Sequence, residues 1–270
     1  MWKIACMAVA LLMCLSGRAE AQFSMLIPSS STVMEDKEFS LKLDVFSAYP
    51  MEMRGLDMQQ PKSLTITRDG KVEDLKAMLK PATIIGHQAW RAVYEVKQPG
   101  VYQFAMEPAP YFDPEEDRFI IHYTKTVVAA FGDEKGWDVP LGLKMEIIPL
   151  TRPFANYSGN IFQGRVLLDG KPVPGAEVEV EYYNRDDVYT TPNVYFMTQV
   201  IKTDENGVKV TWKSYEYDPS ITTDQAATAK MTNDDLPNVV GVRWVYYDLR
   251  GFDTTTAYSS TSKTKVALQN

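Results

Sequence analysis

The chain has 270 residues, 45% of them hydrophobic and 23% charged, with a formal net charge of −7 and two cysteines. That acidic balance argues against nucleic acid and anionic membrane surfaces as partners, because both need clustered basic side chains. Both cysteines, Cys6 and Cys14, fall in an N-terminal targeting segment. The mature chain therefore has no disulfide, no thiolate metal site and no cysteine nucleophile.

Residues 1–21 read as a secretory signal: Lys3 supplies the basic start, Ile4 to Leu15 the apolar core, and Ala19-Glu20-Ala21 a small-x-small cleavage site. The apolar run is shorter than the roughly 20 residues a spanning helix needs, so no membrane insertion of the mature chain is expected. Cleavage makes Gln22 the new N-terminus and leaves 26 basic against 34 acidic side chains, a net of −8. The expected location is the periplasm.

From there the pattern is that of strands. Phe39 to Val45 alternates apolar and polar residues, the mark of a half-buried strand. Leu64 to Thr67 is a second strand, closed by an Asp69-Gly70 turn. Glu73 to Lys80 predicts a helical turn or two, stopped by Pro81. Trp90 to Val96 and Val101 to Met106 flank Gln98-Pro99-Gly100 and predict a hairpin. Phe119 to Val128 and Leu143 to Ile148 complete a first set.

After Pro149 and Pro153 a second set begins with Ile161 to Leu168, an Asp169-Gly170-Lys171 turn and a rigid corner from Pro172 to Gly175. Ala176 to Tyr182 alternates valine or tyrosine with glutamate, Asp204 to Gly207 is a turn into Val208–Trp212, and Val242 to Tyr247 is a last strand. Ser214 to Asp235 is polar and reads as a long loop. Short strands with regular turn signals, and no convincing long helix, predict an all-β chain of two β-sandwich-like domains in tandem after the signal. The expected domains cover residues 22–150 and 151–270.

Few residues carry chemistry. His122 offers an imidazole, the usual ligand of Ni²⁺, Co²⁺, Cu²⁺ or Zn²⁺. In an extended strand it shares the more polar face with Ile120, Thr124 and Thr126. Its other reading is a structural histidine bonded to a backbone carbonyl. His87, after Gly86, reads as a surface loop residue. The acidic run Asp113, Glu115, Glu116 and Asp117 offers oxygen ligands but lacks the glycine-punctuated spacing of a calcium loop, and a solvated loop explains it as well. Met25, Met34, Met51, Met53 and Met58 are either soft thioether ligands or core gap-fillers. Tyr182, Tyr183, Tyr189, Tyr195 and Phe196 are either a sugar platform or core. No nucleophile elbow, His-Glu-x-x-His or phosphate-binding glycine loop is present, so no enzyme is expected.

Several segments together resemble a bacterial family of exported proteins described as periplasmic components of nickel/cobalt uptake, otherwise a family of unknown function. They are Glu107-Pro-Ala-Pro-Tyr111, Phe119 to Lys125, Gly136-Trp137 with Pro140, Ile148 to Pro153, Phe162-Gln163-Gly164, Asp169 to Pro174 and Glu177 to Asn184. The second half resembles the transthyretin-like or carboxypeptidase-regulatory-like sandwich. The resemblance implies a non-enzymatic protein that binds Ni²⁺ or Co²⁺ and delivers it to a membrane metal transporter. The expected ligands are His122 with help from the nearby carboxylates Asp113 and Glu115 or from the N-terminal amine at Gln22. The family places a histidine directly after the signal, and here that position is Gln22, whose free amine can cyclise. Where the family has a later histidine near the last strand, this chain has Trp244-Val-Tyr-Tyr247. The alternative is a cell-envelope binding or adhesion module without a metal site.

Overall fold

The computed structural model describes residues 22–34, 39–113, 118–155, 161–180, 183–185, 199–207 and 212–213. The signal segment, Val208 to Thr211, the loop from Ser214, the strand Val242 to Tyr247, Glu115 to Asp117, Tyr182, Tyr189, Tyr195 and Phe196 lie outside the described residues. Among the described residues there are nineteen strands, one 3₁₀ turn and no α-helix. The first set comprises Phe23–Pro28 (β1), Thr32–Val33 (β2), Ser40–Tyr49 (β3), Arg54–Leu56 (β4), Ser63–Arg68 (β5), Lys71–Asp74 (β6), Lys80–Ile84 (β7), His87–Glu95 (β8), Gly100–Glu107 (β9), Tyr111–Asp113 (β10), Arg118–Ile120 (β11) and Thr124–Ala130 (β12). The second comprises Met145–Pro149 (β13), Ile161–Phe162 (β14), Gly164–Leu168 (β15), Lys171–Pro172 (β16), Glu177–Val180 (β17), Gln199–Lys202 (β18) and Trp212–Lys213 (β19).

The fold is all-β and sandwich-like. One sheet has the order β1-β3-β8-β7, with β4 also on β3, and the facing sheet runs β2-β12-β9-β5-β6. Alternation fixes which side chains enter the gap: Leu41, Leu43 and Val45 from one sheet meet Leu64, Ile66, Phe104 and Val128 from the other. A smaller core gathers Met145, Ile147, Val166 and Val178 from β13, β15 and β17. A further cluster forms on the outer faces of the first sandwich, where Phe23, Met25, Phe46 and Val127 are covered by Phe154 and Tyr183. The Phe46 and Tyr183 rings lie 5.9 Å apart, and Asn184 N donates to Pro50 O at 3.1 Å. The second set is thus fastened onto the first by apolar burial as well as by chain connection.

Four expectations change. Glu73 to Lys80 is less helical than expected, because β6 pairs with β5 across a turn in which Asp69 (φ 49°) and Gly70 (φ 72°) both adopt the left-handed conformation a two-residue hairpin requires. Only Lys76–Met78 forms a 3₁₀ turn before β7. The Gln98-Pro99-Gly100 link is no hairpin: β8 pairs β3 and β7 in one sheet, and β9 pairs β12 and β5 in the other. The link arches over the sandwich edge, so Tyr94 meets Phe104 across the core with ring centroids 5.8 Å apart. Phe119 to Val128 is broken at 121–123, so His122 has no strand face to share. Leu143 to Ile148 does not complete the first set, because β13 pairs antiparallel with β15.

Candidate functional site

β1 and β2 bring Gln22 to the end of β12 that His122 precedes. Thr124 Oγ1 sits 2.9 Å from Ser24 O and 3.0 Å from His122 O, donating toward both carbonyls. Further along, Ala129 N donates to Ser31 O at 3.1 Å, and β2 pairs parallel with β12. The chain from Ser24 to Val33 therefore runs beside β12 in the same direction, which puts Gln22 and His122 at the same end. Both side chains are buried, at 6% and 8% exposure. Gln22 Oε1 is enclosed and has no hydrogen-bond partner among the described residues. A buried carbonyl oxygen in that condition costs about 1–3 kcal/mol, which gives it reason to take a donor or a cation.

The register separates the proposed carboxylate from this place. Asp113 pairs with Arg118 at the tip end of the β10–β11 hairpin, and Tyr111 with Ile120 at its base. His122 follows the base, so about four residue rises, on the order of 13 Å, lie between the two positions. Among the described residues no three His, Cys, Asp or Glu side chains group to hold a metal. His87 stands elsewhere, half-exposed, with Nδ1 3.2 Å from Asp57 Oδ1. The methionines divide among packing sites: Met58 is in the first core, Met25 and Met53 are at the outer cluster, and Met34 is exposed. Tyr183 is core.

A second polar assembly lies beneath the 131–144 loop. Lys125 and Gln103 share the outer face of their sheet, since Lys125 opposes Ala105 and Val127 opposes Gln103. The loop from Phe131 to Lys144 covers that face. Lys125 Nζ donates to Glu146 Oε1 at 2.7 Å, and both side chains are 2% exposed. Glu146 also accepts from Leu141 N at 2.9 Å and Gly142 N at 3.1 Å. Gln103 Nε2 donates to Gly136 O at 2.9 Å and Val139 O at 3.2 Å. Burial pulls the Lys125 ammonium below its ordinary value, and attraction and hydrogen bonding to Glu146 offset part of that shift.

The model of a family described as a domain of unknown function (DUF4198) matches residues 19–213. The chain belongs to that family. No curated protein matches it. Among solved structures, the D0-D1 domain of intimin is similar at 12% identity over 70% of this chain and 83% of that one, with a TM-score of 0.23. The all-β reading rests on the strand pairing itself and not on that likeness.

The DUF4198 region thus includes both polar assemblies: the Gln22–His122 end of β1 and β12, and the Lys125–Glu146–Gln103 brace beneath the 131–144 loop. One sequence signal for the brace exists in retrospect. Lys125 and Glu146 each interrupt a strand buried at every position, β12 and β13, where an unpaired charge would be too costly to keep.

Proposed function

We propose that this DUF4198 protein is a non-enzymatic exported protein that captures a divalent transition metal, nickel or cobalt first, and passes it to a membrane transporter. The observation that carries the reading is the placement of buried His122 and buried Gln22 at one end of the fold, with the Gln22 amide oxygen enclosed and without a hydrogen-bond partner among the described residues. Imidazole nitrogen suits Ni²⁺ and Co²⁺, and a carbonyl oxygen is an acceptable second donor. Processing ahead of Gln22 would add the α-amine, while it stays uncyclised, at the same end, giving a set of two nitrogens and one oxygen. So few donors suit a carrier, because a site that must release its ion gains nothing from a closed shell. The carboxylates at Asp113 and Glu115 are not required.

Isothermal titration of the processed, metal-stripped protein with Ni²⁺, Co²⁺, Cu²⁺ and Zn²⁺ tests this. One saturable site that disappears in His122→Ala is the expected result. Binding that survives the substitution would remove His122 from the site, and no heat with any of the four ions would end the metal reading.

A further inference from the structure

A cleft of about 430 Å³ lies beside the Lys125–Glu146–Gln103 brace, on the face of β13 that Glu146 shares with Ile148, within the roughly 300–1,000 Å³ typical of ligand sites. Its floor is the outer face of β13, β15 and β16. Ile148 opposes Arg165 and Leu167 opposes Pro172, so all four point to the side away from the Met145–Ile147–Val166 core. Its wall is Trp137, Asp138 and Pro140 from the 131–144 loop.

That wall is fixed from beneath. Gln103 binds the carbonyls of Gly136 and Val139, on either side of Trp137 and Asp138, and Glu146 binds the amides of Leu141 and Gly142. Three buried polar side chains, one of them a lysine held against its desolvation cost, thus hold a surface loop that supplies the wall's tryptophan. Such supporting contacts are what a preorganised binding wall needs.

We propose that the cleft is a saccharide site that takes one or two neutral sugar rings. A sugar presents CH patches and hydroxyl edges that both donate and accept. The cleft answers with an indole and proline surface for the first. For the second it has Arg165, which only donates, and Asp138, which only accepts when ionised. Neither makes an ion pair among the described residues, so both are open to a ligand. One charge of each sign gives no pull toward an ionic ligand. The Gln22–His122 reading plays no part in this argument.

Ligand-observed saturation-transfer NMR on the full processed chain, with maltose, cellobiose and N,N′-diacetylchitobiose as probes and glycyl-leucine beside them, tests it. Transfer to the ring CH protons of at least one disaccharide is expected. Affinity should fall about tenfold or more in Trp137→Ala. It should also fall in Arg165→Ala, an exposed substitution that leaves the core intact, and be unchanged in His122→Ala. Gln103→Leu, which frees the wall without touching the cleft, should weaken binding while far-UV circular dichroism stays the same. No transfer from any disaccharide would overturn the proposal, as would equal transfer in Trp137→Ala. Stronger transfer to glycyl-leucine would do the same and assign the cleft to a zwitterionic peptide.

Discussion

Replacing Glu146 by Gln keeps the side-chain volume and one carbonyl oxygen for the Leu141 and Gly142 amides, but leaves the Lys125 ammonium 2% exposed with no counter-charge. Breaking a buried pair from one side costs about 3–5 kcal/mol. A second route gives the same size. Lys125 can escape by losing its proton, and holding a lysine neutral at pH 7 against its ordinary 10.5 costs about 5 kcal/mol. The two agree, and together they set a pH dependence. In the variant the folded state holds a neutral lysine while the unfolded state stays protonated until 10.5, so the unfolded state binds one more proton. Stability must then rise with pH by about 1.4 kcal/mol per unit between pH 7 and 9. Urea unfolding at pH 7, 8 and 9 reads this directly, with Lys125→Met/Glu146→Gln as the control that removes the stranded charge and should recover most of the loss. A loss below about 1 kcal/mol at pH 7, or a penalty that does not change with pH, would refute the reasoning.

Three further outcomes follow from particular contacts. A Cβ on Gly164 would come within 2.5 Å of Ile147 Cγ2, so Gly164→Ala should cost about 1–3 kcal/mol by overpacking the β13–β15 joint, measured by urea unfolding. The Asp57 carboxyl is held below its ordinary 3.8, first by the Gln88 amide and then by His87. His87→Ala should therefore raise it only part of the way back, as followed by carboxyl NMR, while a full return would mean that the Gln88 bond is absent. Because this group's pKa is depressed in the fold, what it contributes to stability is present above 3.8 and fades as pH falls through the folded value. Tyr102 donates to Gln98 O at 2.6 Å and accepts from Arg68 at 3.1 Å. Tyr102→Phe should lose about 1–2 kcal/mol at the arch between β8 and β9, and an unchanged unfolding midpoint would count against that contact.

Where one face is wet and the other dry, the strands were legible. Phe39 to Val45 alternates because β3 has alternately exposed and buried side chains over its first half, and the Asp69-Gly70 turn declares its hairpin through its chemistry. The rest was hidden for physical reasons. β1, β12 and β13 are buried on both faces, so they lack alternation and give no hint of what covers them. The Pro-Gly link after β8 serves an arch as well as a hairpin, and only the facing cores of Tyr94 and Phe104 decide between them. Of the residues expected to form the site, Gln22 and His122 lie at the same end because the chain through β1 and β2 runs beside β12, which no local pattern reveals. Asp113 is close to His122 in sequence, yet the hairpin register sets the two positions about four residue rises apart. The brace was missed because Gln103, Lys125 and Glu146 are far apart in sequence and only tertiary pairing joins them.

Nickel K-edge absorption on the processed protein loaded with one equivalent of Ni²⁺ tests the central claim most directly. The expected spectrum shows a nitrogen-rich first shell with imidazole scattering, and that scattering vanishes in His122→Ala. A shell of water oxygens alone, or imidazole scattering that persists in the variant, would contradict capture at the Gln22–His122 end.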